Sequence, residues 1–305
     1  MGSQFIRFIF FSNYFVGFLA IALAIETVFQ LGLPFNTLPF YLLQFLATVL
    51  YYTRAYTGYS DTYNNPRGAW YAHNTSFIKI NQRVGLLLFS ITAAYLFIAH
   101  FRSAINIPVI YWIILASIPV AGLLYYGMAP GKLRLPNLRN TGWLKPFVIG
   151  YVWAAVVGVL PVAMLIAEEK ITSVHYGLMF WLFIKNWMFC TVNAIMFDIK
   201  DYADDSNRQL KTFVVRVGLR QTIFSILIPL LLLGACSVYL FALHRNFGTV
   251  PVILNLVPFA CLLVVAYTLQ QRKAILYYLV VIDGLLLIKA LCGIAGIYFA
   301  RHPVI

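Results

Sequence analysis

Long apolar stretches separated by short polar segments dominate the hydropathy pattern of this chain. A helix needs roughly 20 mostly apolar residues to cross a bilayer, because in hydrocarbon its backbone polar groups must be hydrogen-bonded within the segment. Nine stretches meet this requirement, at residues 8–30, 36–57, 84–100, 107–128, 146–167, 176–197, 222–243, 251–269 and 277–300. The pattern therefore predicts an all-α integral membrane protein of nine transmembrane helices, with residues 1–305 forming a single polytopic domain.

The composition agrees with this class of protein. Of the 305 residues, 62% are hydrophobic and 10% are charged, whereas charged residues make up about a quarter of soluble domains. A soluble enzyme is thereby excluded, and no nucleic-acid partner is expected. The four cysteines lie far apart within apolar stretches, so we interpret them as packing residues rather than zinc ligands or a redox pair.

Basic residues indicate how the predicted helices are oriented, because Lys and Arg favour cytoplasmic loops. The N-terminal segment and alternate loops carry most of them: Arg7, Arg54, Arg67, Lys79, Arg83, Lys132, Arg134, Arg139, Lys145, Lys200, Arg208, Lys211, Arg216, Arg220, Arg272 and Lys273. The opposite side has only Arg102, Lys170, Arg245 and Arg301. We therefore predict a cytoplasmic N-terminus and an external C-terminus, in a bacterial inner (plasma) membrane.

The acidic residues are few and clustered. The chain has nine Asp and Glu residues, and four of them, Asp198, Asp201, Asp204 and Asp205, follow the sixth predicted span. If a helix continued through this segment, Asp198, Asp201 and Asp205 would share one face, because three and seven residues are close to one and two helical turns. Three carboxylates on one face repel each other, so positive charge is expected beside them.

Magnesium is the cation that best suits this cluster. Oxygen ligands without His or Cys favour Mg²⁺, which typically completes its shell with phosphate oxygens of a substrate. We therefore interpret Asp198, Asp201 and Asp205 as metal ligands, with Mg-diphosphate as the natural ligand. The alternative interpretation is a solvated helix end that forms salt bridges at the membrane surface.

Two segments carry a resemblance to a known family. The run DIKDYADDSNRQLKTFVVRVG resembles the second aspartate-rich motif of the UbiA-type membrane prenyltransferases, D-x-x-D-x-x-x-D followed by K-T-x-x-V-R-x-G. The correspondence falls on Asp198, Asp201, Asp205, Lys211, Thr212, Val215, Arg216 and Gly218. The run YYGMAPGKLRLPNLRNTGWLKPFVIGYVWAAVVGVLP resembles the central region of that family, at Tyr126, Pro130, Arg139, Lys145 and Trp153.

This resemblance implies a fold, an activity and a cofactor. Members of the family bind a prenyl diphosphate through two aspartate-rich motifs and Mg²⁺, lose the diphosphate to give an allylic cation, and prenylate an acceptor that is commonly aromatic. The implied fold has nine helices around a central cavity open to the cytoplasmic side. The implied partners are a prenyl diphosphate, a lipophilic acceptor and membrane lipid. The implied catalytic metal ligands are Asp198, Asp201 and Asp205, and the implied diphosphate contacts are Lys145, Arg139 and Lys211.

The loop after the second span departs from the family pattern. The first motif of the family reads N-D-x-x-D-x-x-x-D, but alignment on the Asn65-Pro66 pair finds other residues at its Asn and three of its acids: Arg54, Ala55, Gly58 and Thr62. The one acid nearby, Asp61, is a position out of register. Arg54, Arg67, Lys79 and Arg83 are candidates to hold the diphosphate instead, because Arg in particular pairs with phosphate in a bidentate geometry.

Three functions therefore stay open. We favour a divergent Mg²⁺-dependent prenyltransferase with one metal site and an arginine-rich second site. The first alternative is a protein of the same fold that has lost the ionisation chemistry and binds an isoprenoid diphosphate or lipid. The second is a transporter of small ions or solutes, motivated by Glu26 and Asp283 within predicted spans, where charged groups are costly unless paired. We expect partners on other helices to neutralise such groups, for example Lys185 for Asp283.

Overall fold

The computed structural model describes residues 2–57, 66–126, 142–202 and 212–301. Over these ranges the chain is helical and contains no β-strand. In chain order the helices are α1 (Gly2–Phe11), α2 (Tyr14–Leu31), α3 (Leu38–Thr57), α4 (Pro66–His73), α5 (Thr75–His100), α6 (Val109–Tyr126), α7 (Lys145–Ala167), α8 (Tyr176–Lys200), α9 (Phe213–Val217), α10 (Leu219–Leu243), α11 (Thr249–Thr268) and α12 (Ile275–Arg301). The predicted all-α class is therefore confirmed.

Seven of the described helices are long and apolar enough to cross a membrane, namely α2, α5, α7, α8, α10, α11 and α12. They indicate an integral membrane protein. Helices also lie over the other two stretches that the hydropathy pattern predicts: α3 contains the polar residues Gln44 and Arg54, and α6 is a shorter apolar helix. Two boundaries differ from the prediction, because the first stretch is divided at Asn13 and the third begins at Thr75 rather than at residue 84.

Six of the seven long helices pack as a closed ring. Going around it, α2 packs against α7, α7 against α8, α8 against α10, α10 against α11, α11 against α12, and α12 against α2 again. Outside this ring, α3 packs against α2 and α5, and α6 packs against α7. The first and last long helices therefore meet, and residues far apart in the sequence face each other across the ring.

Apolar side chains occupy both the interior and the outer surface of the bundle. Phe189, Phe259 and Leu227 belong to one large buried core, whereas Leu87 on α5 and Leu233 on α10 are among the many large apolar residues that are exposed. A large exposed apolar surface marks an interaction site for protein or membrane. On a helical bundle with this composition, it is the surface that lipid chains cover.

One end of the bundle, which we call the Glu168 end, gathers three connections. The hydroxyl of Thr37, after α2, donates a hydrogen bond of 2.6 Å to the Glu168 carboxylate, after α7. The hydroxyl of Ser103, after α5, donates one of 2.5 Å to the backbone carbonyl of Ala167 at the end of α7. The connections that follow α2, α5 and α7 therefore meet at the same end.

The opposite end, which we call the Asp198 end, contains the start of α7 and the C-terminal turn of α8. The joint between α1 and α2 also lies among residues of this end. At this joint Asn13 has a positive φ of 66°, and its side-chain amide donates hydrogen bonds of 3.1 Å to Thr53 on α3 and to Tyr71 on α4. Asn tolerates this left-handed conformation better than most residues. The backbone of Asn13 therefore makes the turn between α1 and α2, while its side chain connects this turn to α3 and α4.

The contact between α7 and α8 generates a test of the packing at Gly150. A Cβ atom at this position would lie 2.8 Å from the backbone nitrogen of Thr191 and from the backbone oxygen of Trp187. Backbone atoms cannot move aside individually, and overpacking costs roughly 1–3 kcal/mol. We expect Gly150→Ala to lower the midpoint of thermal unfolding of the detergent-solubilised protein.

Gly122 on α6 is the matched control for this substitution. A Cβ there would meet nothing within 4 Å, and Ala is favoured over Gly in helices by about 1 kcal/mol. Gly122→Ala should therefore leave the unfolding midpoint unchanged or raise it. Equal midpoints for the two variants would contradict the close approach of α7 and α8.

Candidate functional site

The aspartate motif begins in the last turn of α8 and leaves the helix within three residues. Asp198 is inside the helix, α8 ends at Lys200, and Asp201 caps it with non-helical backbone angles of φ −90° and ψ 4°. A continuous helix through the motif is therefore wrong, because the backbone turns out of the helix at Asp201. Asp198 and Asp201 remain close in the chain, whereas Asp205 lies outside the described residues.

Asp198 forms an ion pair with Lys145 across two neighbouring helices. The Nζ of Lys145 lies 2.6 Å from Oδ1 of Asp198, and the Asp198 side chain is 1% exposed against 16% for Lys145. Lys145 is the first residue of α7 and Asp198 lies near the end of α8, so the antiparallel packing of these helices brings the two together. The sequence motifs predict a common site for both residues, and the structure places them in contact.

The second oxygen of Asp198 makes this pair a candidate metal position. Oδ2 of Asp198 is buried and has no hydrogen-bond partner among the described residues. An unsatisfied buried oxygen is costly, and more so when it is charged. Asp201 is more accessible, with 40% of its side chain exposed, and lies 3.2 Å from Lys200. A hard cation held by oxygen ligands fits such a combination.

Aromatic and acidic residues from other helices complete this end. The indole nitrogen of Trp153 donates a hydrogen bond of 2.8 Å to the Tyr52 hydroxyl. On α12, Asp283 lies within range of the positive charges of Arg67 and Lys200, and the ring of Tyr278 on the same helix packs against that of Phe197, with centroids 6.0 Å apart. The Asp198 end therefore joins residues of α3, α4, α7, α8 and α12, which no local sequence pattern connects.

The predicted arginine contacts are divided between the described and undescribed parts of the chain. Arg67 is 3% exposed, donates a hydrogen bond of 3.2 Å to the backbone carbonyl of Phe11, and also bonds to the Asn13 side chain. Arg67 thus holds α4 on the joint between α1 and α2, a structural contact that the sequence did not predict. Arg54 is exposed in the last turn of α3. Outside the described residues lie Gly58, Asp61, Thr62, Arg139, Asp204 and Lys211.

A second charged cluster lies deep in the bundle, and the sequence did not predict it. The Nζ of Lys289 lies 2.5 Å from one oxygen of Glu26, and the Nζ of Lys185 lies 3.5 Å from the other. The expected pairing of Lys185 with Asp283 is therefore wrong, because Lys185 faces Glu26 whereas Asp283 faces the Asp198 end. The available signal was that each of these charged residues stands within an apolar stretch, but the sequence does not show which helices face each other.

No group of three or more His, Cys, Asp and Glu that could hold a metal ion occurs within the described ranges. A metal at the Asp198 end would therefore need oxygens from a ligand or from undescribed residues as well. Comparisons with known protein families, with curated proteins and with solved structures find no match for this chain. The resemblance to the UbiA-type prenyltransferases thus rests on the sequence motifs alone, and the site must be interpreted from its own geometry.

The Lys145–Asp198 pair generates a stability prediction. Removing one partner of a buried ion pair leaves an uncompensated charge and costs about 3–5 kcal/mol, whereas replacing both by apolar residues is often nearly neutral. We expect Lys145→Met to lower the free energy of unfolding strongly, and Lys145→Met combined with Asp198→Leu to recover most of it. Unfolding in mixed micelles measures this free energy.

Lys200→Met is the matched control, because it breaks the more exposed ion pair with Asp201. Exposed pairs contribute about 1 kcal/mol or less, so this variant should unfold much like the wild-type protein. If the double variant at 145 and 198 were as unstable as the sum of its single variants, the two side chains would not be paired.

Proposed function

We propose that this protein binds an isoprenoid diphosphate together with Mg²⁺ at the Asp198 end and transfers its prenyl group to a lipophilic acceptor. The observation that carries the proposal is the buried pair of Lys145 and Asp198, in which one carboxylate oxygen is bound by an ammonium group and the other has no partner among the described residues. An anionic oxygen for a metal and a cation for a phosphate thus stand side by side. Such a pairing suits a metal-bound phosphate ligand.

The residues of this end have distinct roles in the proposal. Asp198 and Asp201 would hold Mg²⁺, and the bound ion would supply positive charge to stabilise the leaving diphosphate. Lys145 neutralises Asp198 before the ligand arrives and can donate a hydrogen bond to a phosphate oxygen afterwards. The rings of Tyr52 and Trp153 offer π faces that attract an allylic cation. By the resemblance, Asp205 would add a metal contact, and Arg139 and Lys211 would add diphosphate contacts. Arg54 and Arg67, from the loop that departs from the family pattern, would hold the diphosphate in place of the missing carboxylates.

A second candidate function uses the same site without the chemistry. Lys145 already occupies one oxygen of Asp198 at 2.6 Å, a geometry that neutralises the carboxylate and weakens its attraction for a metal ion. A protein with this arrangement could bind an isoprenoid diphosphate or anionic lipid through lysine and never ionise it. Release of diphosphate separates the two candidates, because only the transferase breaks the bond between the prenyl carbon and the diphosphate oxygen.

The site requires a particular topology, which we also propose: nine spans around a central cavity that opens to the cytoplasm at the Asp198 end. The connections after α2, α5 and α7 meet at the Glu168 end. If α3 did not cross the membrane, α5 would be the only span between the connection after α2 and the connection after α5, and these two connections would lie on opposite sides. The same holds for α6, which lies between the connections after α5 and α7. Their common position supports α3 and α6 as spans, and the basic residues support a cytoplasmic Asp198 end.

Cysteine accessibility in intact cells tests this topology. In a variant with its four cysteines replaced by alanine, we expect an impermeant maleimide to label Ser173→Cys and Arg102→Cys from outside. Gln271→Cys should be labelled only after the membrane is opened. All three positions are exposed, so burial does not protect them. Labelling of Arg102→Cys and Ser173→Cys from opposite sides would refute the nine spans, and the reverse pattern at all three would invert the orientation.

Turnover in nanodiscs tests the activity. Farnesyl or geranylgeranyl diphosphate, labelled in the prenyl group, is incubated with the purified protein, Mg²⁺ and a membrane lipid extract. We expect inorganic diphosphate to be released and the label to pass to a lipid product. Asp201→Asn should slow this release by roughly 10²-fold or more, because a group that stabilises charge in the transition state is lost.

Glu169→Gln is the matched control for this assay, since Glu169 is an exposed carboxylate at the Glu168 end. Its rate should equal that of the wild-type protein. Mg²⁺-dependent retention of the intact diphosphate, lost in Asp201→Asn, would establish the binder instead of the transferase. If Asp201→Asn and Lys145→Met both bound the diphosphate with Mg²⁺ as well as the wild-type protein does, the ligand would lie elsewhere. This result would contradict both the transferase and the binder.

A further inference from the structure

A cavity of about 340 Å³ lies at the Glu168 end, away from the site proposed above. It is enclosed by residues of α2, α8, α10, α11 and α12, and Gly32 and Arg301 stand where α2 and α12 end. Cavities of roughly 300–1,000 Å³ are the size that small molecules occupy in proteins. The volume therefore suits one small ligand or the head of a larger one.

The charged side chains that line this cavity are all cations within the described residues, namely Lys185, Arg245 and Arg301. Lys185 is 8% exposed, whereas the two arginines are exposed. The Nζ of Lys185 also donates a hydrogen bond of 3.3 Å to the side-chain oxygen of Asn255, a neutral group. The cavity thus has an ammonium group at its buried end and two guanidinium groups among its exposed residues.

The carboxylate nearest to Lys185 is already engaged by other groups. Glu26 accepts a bond of 2.5 Å from Lys289 and one of 2.8 Å from the amide of Gln30, while Lys185 is 3.5 Å away. Two ammonium groups therefore share one carboxylate, which leaves one positive charge in excess. Buried charges are costly unless they are paired. Lys289 is 2% exposed, and its Nζ lies 5.9 Å from the centroid of the Phe189 ring. Of the two lysines, Lys185 is the one that lines the cavity.

Two glycines on α12 make room for this polar cluster. A Cβ on Gly293 would lie 2.5 Å from the Gln30 amide nitrogen, and a Cβ on Gly296 would lie 2.6 Å from the Asn255 amide nitrogen. Any larger residue would displace the amide of Gln30 from Glu26 or the amide of Asn255 from Lys185. The polar end of the cavity is thus built by the backbone of α12 as well as by side chains.

The walls of the cavity are apolar and aromatic. Trp181 on α8 stacks on Phe241 of α10, with ring centroids 5.3 Å apart and an interplanar angle of 14°. Phe241 also makes an edge contact with Phe247, and all three residues line the space. Burial of an alkyl or prenyl chain against such walls is energetically favourable.

We propose that this cavity binds an amphiphilic oxyanion, a carboxylate or phosphate monoester carried on an apolar chain. Its oxyanion accepts hydrogen bonds from Lys185 and lies beside the amide of Asn255, while Trp181, Phe241 and Phe247 contact the chain. Charge-assisted hydrogen bonds of this kind are the strong ones, and the ligand supplies the negative charge that the cluster lacks.

Titration with octyl phosphate and with octan-1-ol tests the proposal. Both probes carry the same apolar chain and differ in charge. With the full-length protein in phosphatidylcholine nanodiscs, we expect octyl phosphate to raise the unfolding midpoint and to change the fluorescence of Trp181, assigned by difference from Trp181→Phe. Octan-1-ol should do neither to a comparable extent, and inorganic phosphate alone should bind weakly because it lacks the chain.

Lys185→Met is the decisive variant. It should weaken octyl phosphate binding roughly tenfold or more, a loss of about 1.4 kcal/mol. It should not destabilise the ligand-free protein, because Glu26 keeps Lys289 and Gln30 as partners. Lys185→Arg should retain most of the affinity, and Lys170→Met, which alters a more exposed ion pair at the same end, should bind like the wild-type protein.

The source of the oxyanion can be separated in the same assay. If a membrane lipid supplies it, phosphatidylglycerol in the nanodiscs will compete with octyl phosphate, and native mass spectrometry will show a bound lipid that Lys185→Met loses. If a free amphiphile supplies it, the affinity for octyl phosphate will be equal in both kinds of nanodisc. Equal binding of octyl phosphate by Lys185→Met and the wild-type protein, or equal effects of octyl phosphate and octan-1-ol, would overturn the proposal.

Discussion

Charge neutralisation between helices governs how this bundle is assembled. A charged side chain among apolar helices is tolerated only when an opposite charge reaches it, and two buried pairs among the described residues join different helices. Lys145 of α7 meets Asp198 of α8, and Lys289 of α12 meets Glu26 of α2. These pairs fix which helices are neighbours and how they are aligned along the bundle, in a way that interchangeable apolar contacts do not.

The two ends of the bundle meet this requirement differently. At the Asp198 end, one buried carboxylate has a lysine on one oxygen and no partner for the other among the described residues. Towards the Glu168 end, two lysines share Glu26, and the residues that line the cavity add two arginines. The first environment suits a cation with its phosphate, and the second suits an anion with an apolar chain. Packing and electrostatics are coupled at both, because Gly150 lets α7 approach α8 and Gly293 leaves room on α12 for the side chain of Gln30.

Much of the architecture could be predicted from the order of residues, because the signal for a membrane helix is local. A run of about 20 apolar residues in a bilayer must form a helix, because a helix hydrogen-bonds its own backbone polar groups. The helical class and the position of each apolar stretch therefore follow directly. The scarcity of acids also singled out Asp198 and Asp201, and the motifs added Lys145 to the same site. The end of α8 did not follow, since the same residues would equally allow a helix that continues through Asp205.

Which charged groups meet depends on tertiary packing. Glu26 accepts its shortest hydrogen bond from Lys289, 263 residues away, and no local pattern connects the two. The sequence paired Lys185 with Asp283 rather than with Glu26, because both lie in apolar stretches and carry opposite charge. Closure of the ring by α2 and α12 brings Glu26 to Lys289 and sets Lys185 at a different depth from Asp283. Hydropathy gives the length of a helix but neither its rotation nor its neighbours, and those two quantities place the buried charges of this bundle.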